Sequence, residues 1–380
     1  MSPPTAADAC ARYLRQLGDR VRLIARPYDS RPEVDVALDA FATAAAGFLT
    51  SGQEQLQQVG LSHRFHFGLV DGALGRKAAS EHDAYAVGDI FAEPGEAAAS
   101  FLLFTQPFAR DIFVAWDAML SRRELFRNVG NPDDESEMSS LTSSRPRDPA
   151  RARYAVDQAL LTLHFALLHE FYHVANGHLD AIGGKQEGVR LHAVTASDEQ
   201  LGAGANLYKV LELDADAMAI RHLTIALLEG ETLVPHGLFG AASDKDRFRH
   251  LGRSVTLLFR LVELWRRHVR LDYTEKELHP HPDVRDATLR AYLRLNADPE
   301  DRRSEELAQG YEEGQDDIIE ALEVMSTLAP SFGIVEGMGQ DLAIRETEWL
   351  VPELNRVRKE GVGPRDFRRL AAQRRQAGQS

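Results

Sequence analysis

Cysteine is all but missing. Cys10 stands alone among 380 residues, so no internal disulfide can form. That suits a reducing compartment, and Cys10 itself reads as a small packed group rather than a reactive thiol. Long apolar runs are missing too. No stretch reaches the roughly 18 residues that span a bilayer. The best, 254–265, is interrupted by Arg260 and Glu263 and reads as an amphipathic or buried helix. The first segment scatters Arg12, Arg15, Arg20, Arg22 and Arg26 with no apolar centre, so it does not resemble a secretory signal. A cytoplasmic location is expected. Basic charge is short as well. The net charge of −14 argues against general nucleic-acid binding, which needs Lys and Arg to displace counterions. A Gly-rich phosphate loop, a CxxC pair and a GxSxG elbow are all absent, so nucleophilic Ser or Cys catalysis has no support.

What is present is an ordinary globular composition, 44% hydrophobic and 27% charged, enough for a sizeable core. Residues 1–9 read as frayed, and 11–51 as helical, with Leu38, Phe41, Ala45, Phe48 and Leu49 at helix spacing. Strands are expected within 60–117: Phe65 to Phe67, Ala84 to Val87 and Ile112 to Trp116 are short and β-rich between Gly and Pro breakers. Residues 1–127 form an N-terminal α/β region. Residues 128–149, rich in Ser, Pro, Asp and Glu, read as a flexible linker or loop. A long helix over about 150–176 should end at Gly177, a 183–205 loop should follow, and a second helix should run over about 206–228. Further helices are expected over 245–272 and 283–296. The C-terminal region, 298–380, opens with eleven acids against two arginines over 298–323, a solvated helical face. It ends in a basic tail. The fold class is therefore α+β, mostly α.

The first long helix carries His169-Glu170-Phe171-Tyr172-His173, an HExxH. Residues four apart share a helix face, so two imidazoles can ligate one zinc ion at about 2.0–2.1 Å. Glu170 lies beside that face, where it can take a proton from a metal-bound water. Chance matches to so short a motif fall mostly on polar segments. This one lies on a strongly apolar helix (Val156, Leu160, Leu163, Leu167, Val174), where unpaired charge is costly and metal ligation gives it a purpose. Zinc still needs a third ligand. The next helix offers Glu212 and Asp216, four apart, among small alanines. Glu212 is assigned as ligand and Asp216 as the holder of a ligand histidine; the two roles are exchangeable at this stage. An acidic stripe on a solvated helix is the plainer reading, disfavoured by the alanines and by Leu211, Leu213, Met218 and Ile220.

Residues 169–178 resemble the HExxHxxxGH of the gluzincin-class zinc peptidases that include the CAAX prenyl protease and the heat-shock-induced membrane proteases. Glu212 and Asp216 resemble that family's ExxxD, and His279-Pro280-His281-Pro282-Asp283-Val284-Arg285 its HP…R segment. The resemblance covers roughly 150–290, the catalytic region of the chain. It implies a zincin-like core of two packed metal-bearing helices with a small sheet. It also implies that His279 stabilises an oxyanion and that Arg285 braces the site through Asp216. His281, which also precedes a proline, is the alternative to His279. Having no apolar run of spanning length, the chain is expected to be a soluble relative acting on a protein or peptide.

Other residues carry less. His178 has a second-layer or end-capping role. His164 reads as a core histidine, Asp180 and Asp214 as ordinary polar positions, and Tyr172 and Tyr208 as packing residues that could donate to an oxyanion. His63, His66 and His82 make no usable spacing. Ala84 to Gly88 and Ile112 to Trp116 both qualify as an edge strand for an extended substrate. Two readings compete with the peptidase: a non-catalytic gluzincin-like regulatory or binding module, and a metal-free helical interaction protein with core histidines.

Overall fold

The structure is a computed structural model. It describes residues 6–16, 23–24, 31–58, 63–71, 84–88, 98–137, 145–179, 190–192, 205–229, 243–268, 280–295, 302–326 and 352. The architecture is α+β and mostly α. In chain order the elements are α1 (Ala6–Gln16), α2 (Pro32–Gln58), β1 (His63–Val70), β2 (Ala84–Gly88), β3 (Ala98–Thr105), α3 (Gln106–Leu120), α4 (Pro149–Ala175), β4 (Arg190–His192), α5 (Ala205–Glu229), α6 (Asp244–His268), α7 (Pro282–Leu295) and α8 (Arg302–Ser326).

The sheet has the order β1-β3-β2-β4. β1 runs parallel to β3; β2 is antiparallel to both β3 and β4. Strand periodicity sorts the side chains. Val70, Tyr85, Val87, Phe101 and Leu103 face α1, where Cys10, Tyr13 and Leu14 cover them. Phe65, Leu69, Ala84, Ala86, Leu102 and Phe104 face the main core. That core is continuous from Val34 on α2 to Met325 on α8, so the described helices other than α1 share one hydrophobic interior.

Several expectations are corrected. The N-terminal stretch is ordered earlier than expected: α1 begins at Ala6, and Ala9 and Cys10 are buried. Ile112 to Trp116 is not a strand but the middle of α3. Thr105 caps that helix through its hydroxyl, with Pro in the first turn. Phe108, Ile112, Trp116 and Met119 then recur at helical spacing on its buried side. Ala84 to Gly88 is a strand, but both its edges are occupied, by β3 and β4, so it offers no free edge to a substrate. Pro32–Glu54, within α2, is long and apolar enough by length and composition to cross a membrane, with 33% of that window buried in the fold. The sequence reading missed it because its many alanines raise the mean hydropathy without an unbroken run of large side chains. Its inner row, Val34, Leu38, Phe41, Ala45 and Leu49, packs into the core.

The described part of 128–149 is a loop tied to the start of α4. Arg151 is fully buried and uses all five N–H donors on backbone carbonyls. Nε donates to Leu120 (2.7 Å), Nη1 to Phe126 and Val129 (3.0 Å each), and Nη2 to Arg122 (2.9 Å) and Leu125 (2.8 Å). Glu135 accepts from the Arg147 and Asp148 amides, and Asp148 caps α4. α4 then runs through the interior, buried on nearly every side, and ends at Asn176, with Gly177 at φ 74°.

Candidate metal centre

His169 and His173 lie one turn apart on α4, and Glu212 approaches from α5. All three are buried. The two Nε2 atoms are 3.0 Å apart. Glu212 Oε2 is 3.3 Å from His169 Nε2, and Oε1 is 3.3 Å from His173 Nε2. A tetrahedral zinc with bonds of 2.0–2.1 Å has ligand–ligand edges of about 3.3 Å. The two Glu212 contacts use different carboxylate oxygens; with one donor atom from each residue the three lie within 4.8 Å of one another, a spacing that can hold an ion, and the two-nitrogen, one-carboxylate set suits zinc.

Each histidine is oriented from behind. His169 Nδ1 donates to Asp216 Oδ1 at 2.8 Å. Asp216 in turn accepts a bidentate pair from Arg285, Nε to Oδ2 at 2.8 Å and Nη2 to Oδ1 at 2.7 Å. Arg285 also stacks over Phe259, 4.1 Å from the ring centre. His173 Nδ1 lies 2.9 Å from His178 Nδ1, and His178 Nε2 lies 3.0 Å from Asp214 Oδ2. Asn176 donates to the same oxygen at 2.6 Å. The tautomers follow from the acceptors: in the neutral ring each of these histidines carries its proton on Nδ1, which leaves Nε2 able to bind a metal.

Electrostatics separate the two histidines. Burial alone would push His169 down, but the Asp216 and Glu212 carboxylates outweigh it and lift it to about 10. Burial pushes His173 down to about 3, against the opposing charge of Glu212. Burial would raise Asp216, yet Arg285 and His169 hold its carboxyl below the usual value. Without a metal, the pair is a His169 imidazolium whose Nε2–H is donated to a neutral His173.

The structure thus brings together His169, His173, Glu212, Asp216, Arg285 and His178. Glu170 is buried beside His169. His279, Asp180 and His82 lie outside the described residues. His281 is buried at the start of α7; its Nδ1 accepts the Asp283 amide at 3.2 Å, so that face of the ring caps the helix. Tyr172 turns away from the ligands, with its hydroxyl 3.2 Å from His222 Nδ1. Tyr208, one turn before Glu212, is buried, and burial with the Glu212 charge pushes its hydroxyl up to about 12. His164 donates to the Leu160 carbonyl and packs edge-on against Phe41, a core histidine. Asp214 is the residue that sequence reasoning missed: it is buried and ties down His178, not an ordinary polar position. In comparisons with known proteins the chain matches no family model, no curated protein and no solved structure. The metal-centre reading rests on these side chains.

Proposed function

We propose that the protein is a zinc-dependent endopeptidase. His169, His173 and Glu212 hold the ion, and Glu170 is the catalytic base. The observation that carries this reading is the cluster of three buried donors: the two histidine Nε2 atoms lie 3.0 Å apart, and each is 3.3 Å from one oxygen of the Glu212 carboxylate. Two imidazoles and a carboxylate gathered at that spacing, each imidazole backed by its own acceptor, are costly to assemble in a core unless a cation repays them. When bound, zinc supplies a Lewis acid for the scissile carbonyl and a water acidified to a pKa near 7.

The chain's own residues do the rest. Asp216 and Arg285 lock the His169 ring. Glu170 receives the proton of the attacking water on its carboxylate and returns it to the leaving amine. His279, by resemblance, donates to the developing oxyanion. The substrate class is a protein or peptide.

The test is metal content beside turnover. Purified wild type should hold about one zinc per chain, Glu212→Ala should lose it, and Glu170→Gln should keep it while cleaving no member of a degenerate peptide library. Zinc without cleavage in wild type would assign the chain to the binding-module class. No zinc, even when supplied, would leave a helical interaction protein with core histidines.

A further inference from the structure

The two ligand histidines are held by different devices. Behind His169 stands a carboxylate already neutralised by a bidentate arginine. Behind His173 stands another imidazole, His178, with a carboxylate one step further back. His178 does not belong to the HExxH turn. It reaches His173 because Asn176 ends α4 and Gly177, at φ 74°, turns the chain back over the ligand. Asn176 also anchors the second acceptor, donating to Asp214 Oδ2 at 2.6 Å. Four residues from two elements therefore converge on one ring nitrogen of one ligand.

We infer that Asp214 is a positioning residue for the metal centre, fixing the tautomer and ring plane of His173 through His178. The argument is one of donors and acceptors. His178 has two ring nitrogens, 2.9 Å from His173 Nδ1 and 3.0 Å from Asp214 Oδ2. A carboxylate only accepts, so the His178 proton sits on Nε2. On the neutral His178 ring Nδ1 is then a lone pair and must accept, which places the His173 proton on Nδ1 and frees Nε2 for a metal. Removing the carboxylate releases His178 to the opposite tautomer. In that state two N–H groups would point at each other across the 2.9 Å contact, unless His173 gives up its metal-facing lone pair. Asp216 cannot substitute, because its oxygens are engaged by His169 and Arg285.

This inference rests on the zinc-peptidase reading only as far as a divalent ion binding at the three-donor cluster; it does not need proteolysis. The test uses the full chain with two probes, zinc under chelator competition and cobalt(II) as a paramagnetic substitute. Wild type with cobalt should show two slowly exchanging, strongly shifted Nδ1–H proton resonances, one from each ligand histidine. In Asp214→Ala, which removes the acceptor altogether, and in His178→Ala, one of these should move or vanish while the other stays. Zinc affinity should fall about 10–100-fold, the usual cost of losing such a partner. His178→Gln, whose amide oxygen can accept from His173 while its NH2 donates to Asp214, should recover part of the loss. It also carries the test should Asp214→Ala fail to fold. Unchanged resonances and affinity in Asp214→Ala, or equal losses in His178→Gln and His178→Ala, would overturn the role of Asp214 and leave the metal site standing. A wild type that takes up neither ion would overturn both.

Discussion

His169 and His173 sit 3.0 Å apart yet titrate in opposite directions, one lifted to about 10 and the other lowered to about 3. The sign for His169 follows from its raised value. Its contribution to the metal-free fold is complete below the ordinary value of 6.5 and is lost as pH rises through about 10. A metal must displace that proton. Zinc affinity should therefore climb about tenfold per pH unit from neutrality and level off near pH 10, a slope that chelator competition at stepped pH measures directly. Arg285 makes a second prediction. Arg285→Ala removes one of the two cations that face the buried Asp216 carboxylate and leaves the His169 imidazolium as its partner, which should cost roughly 1.5–3 kcal/mol in a urea melt of the metal-free protein. The local logic of these residues was legible in the sequence. Four-residue spacing placed His169 with His173 and Glu212 with Asp216 on shared helix faces. Asp214 was not legible, because it lies off the Glu212–Asp216 row and its partner arrives only through the turn at Gly177.

At the scale of elements, α6 and α8 meet backbone to backbone. A Cβ on Gly314 would lie 2.1 Å from the Arg249 carbonyl oxygen, and one on Gly310 would lie 2.2 Å from that of Lys245. Neither obstacle is a flexible side-chain end. Gly314→Ala should thus push the two helices apart and cost about 1–3 kcal/mol. Gly47, on the outer side of α2, has nothing within 4 Å of a built Cβ. Gly47→Ala should instead stabilise by about 0.5–1 kcal/mol. Paired thermal melts of the two variants give opposite shifts if the packing is as described. The misreading of α3 is an element-scale lesson. Ile112 to Trp116 looks β-rich over five residues. Only the wider window, from the Thr105 cap through Phe108 to Met119, shows the 3.6-residue period. β4 gave no signal, because three residues carry no periodicity and its pairing with β2 is a tertiary fact. α4 and α5 were plain, since both are long and strongly patterned.

At the scale of the whole molecule, the proposed ligands belong to helices that share the continuous core with α2, α3, α6 and α8. A metal that binds only the folded chain should therefore stabilise all of it, not one corner. Zinc at a hundredfold excess over its dissociation constant adds about 2.7 kcal/mol, which calorimetry should register as a single shifted transition. Glu212→Ala should abolish that shift. A shift that persists in this variant would place the zinc elsewhere.

The sheet order has a consequence for how such a chain is made. β2 joins β3 early, but its other edge waits for β4. About a hundred residues separate those two strands, some 5–20 seconds of synthesis at typical speeds. Over that interval the nascent chain carries an open β-edge, the kind of surface that recruits stray strands. The edge can close only after His169 and His173 have left the ribosome, and it can close before Glu212 has, so the sheet can be completed before the proposed third ligand emerges.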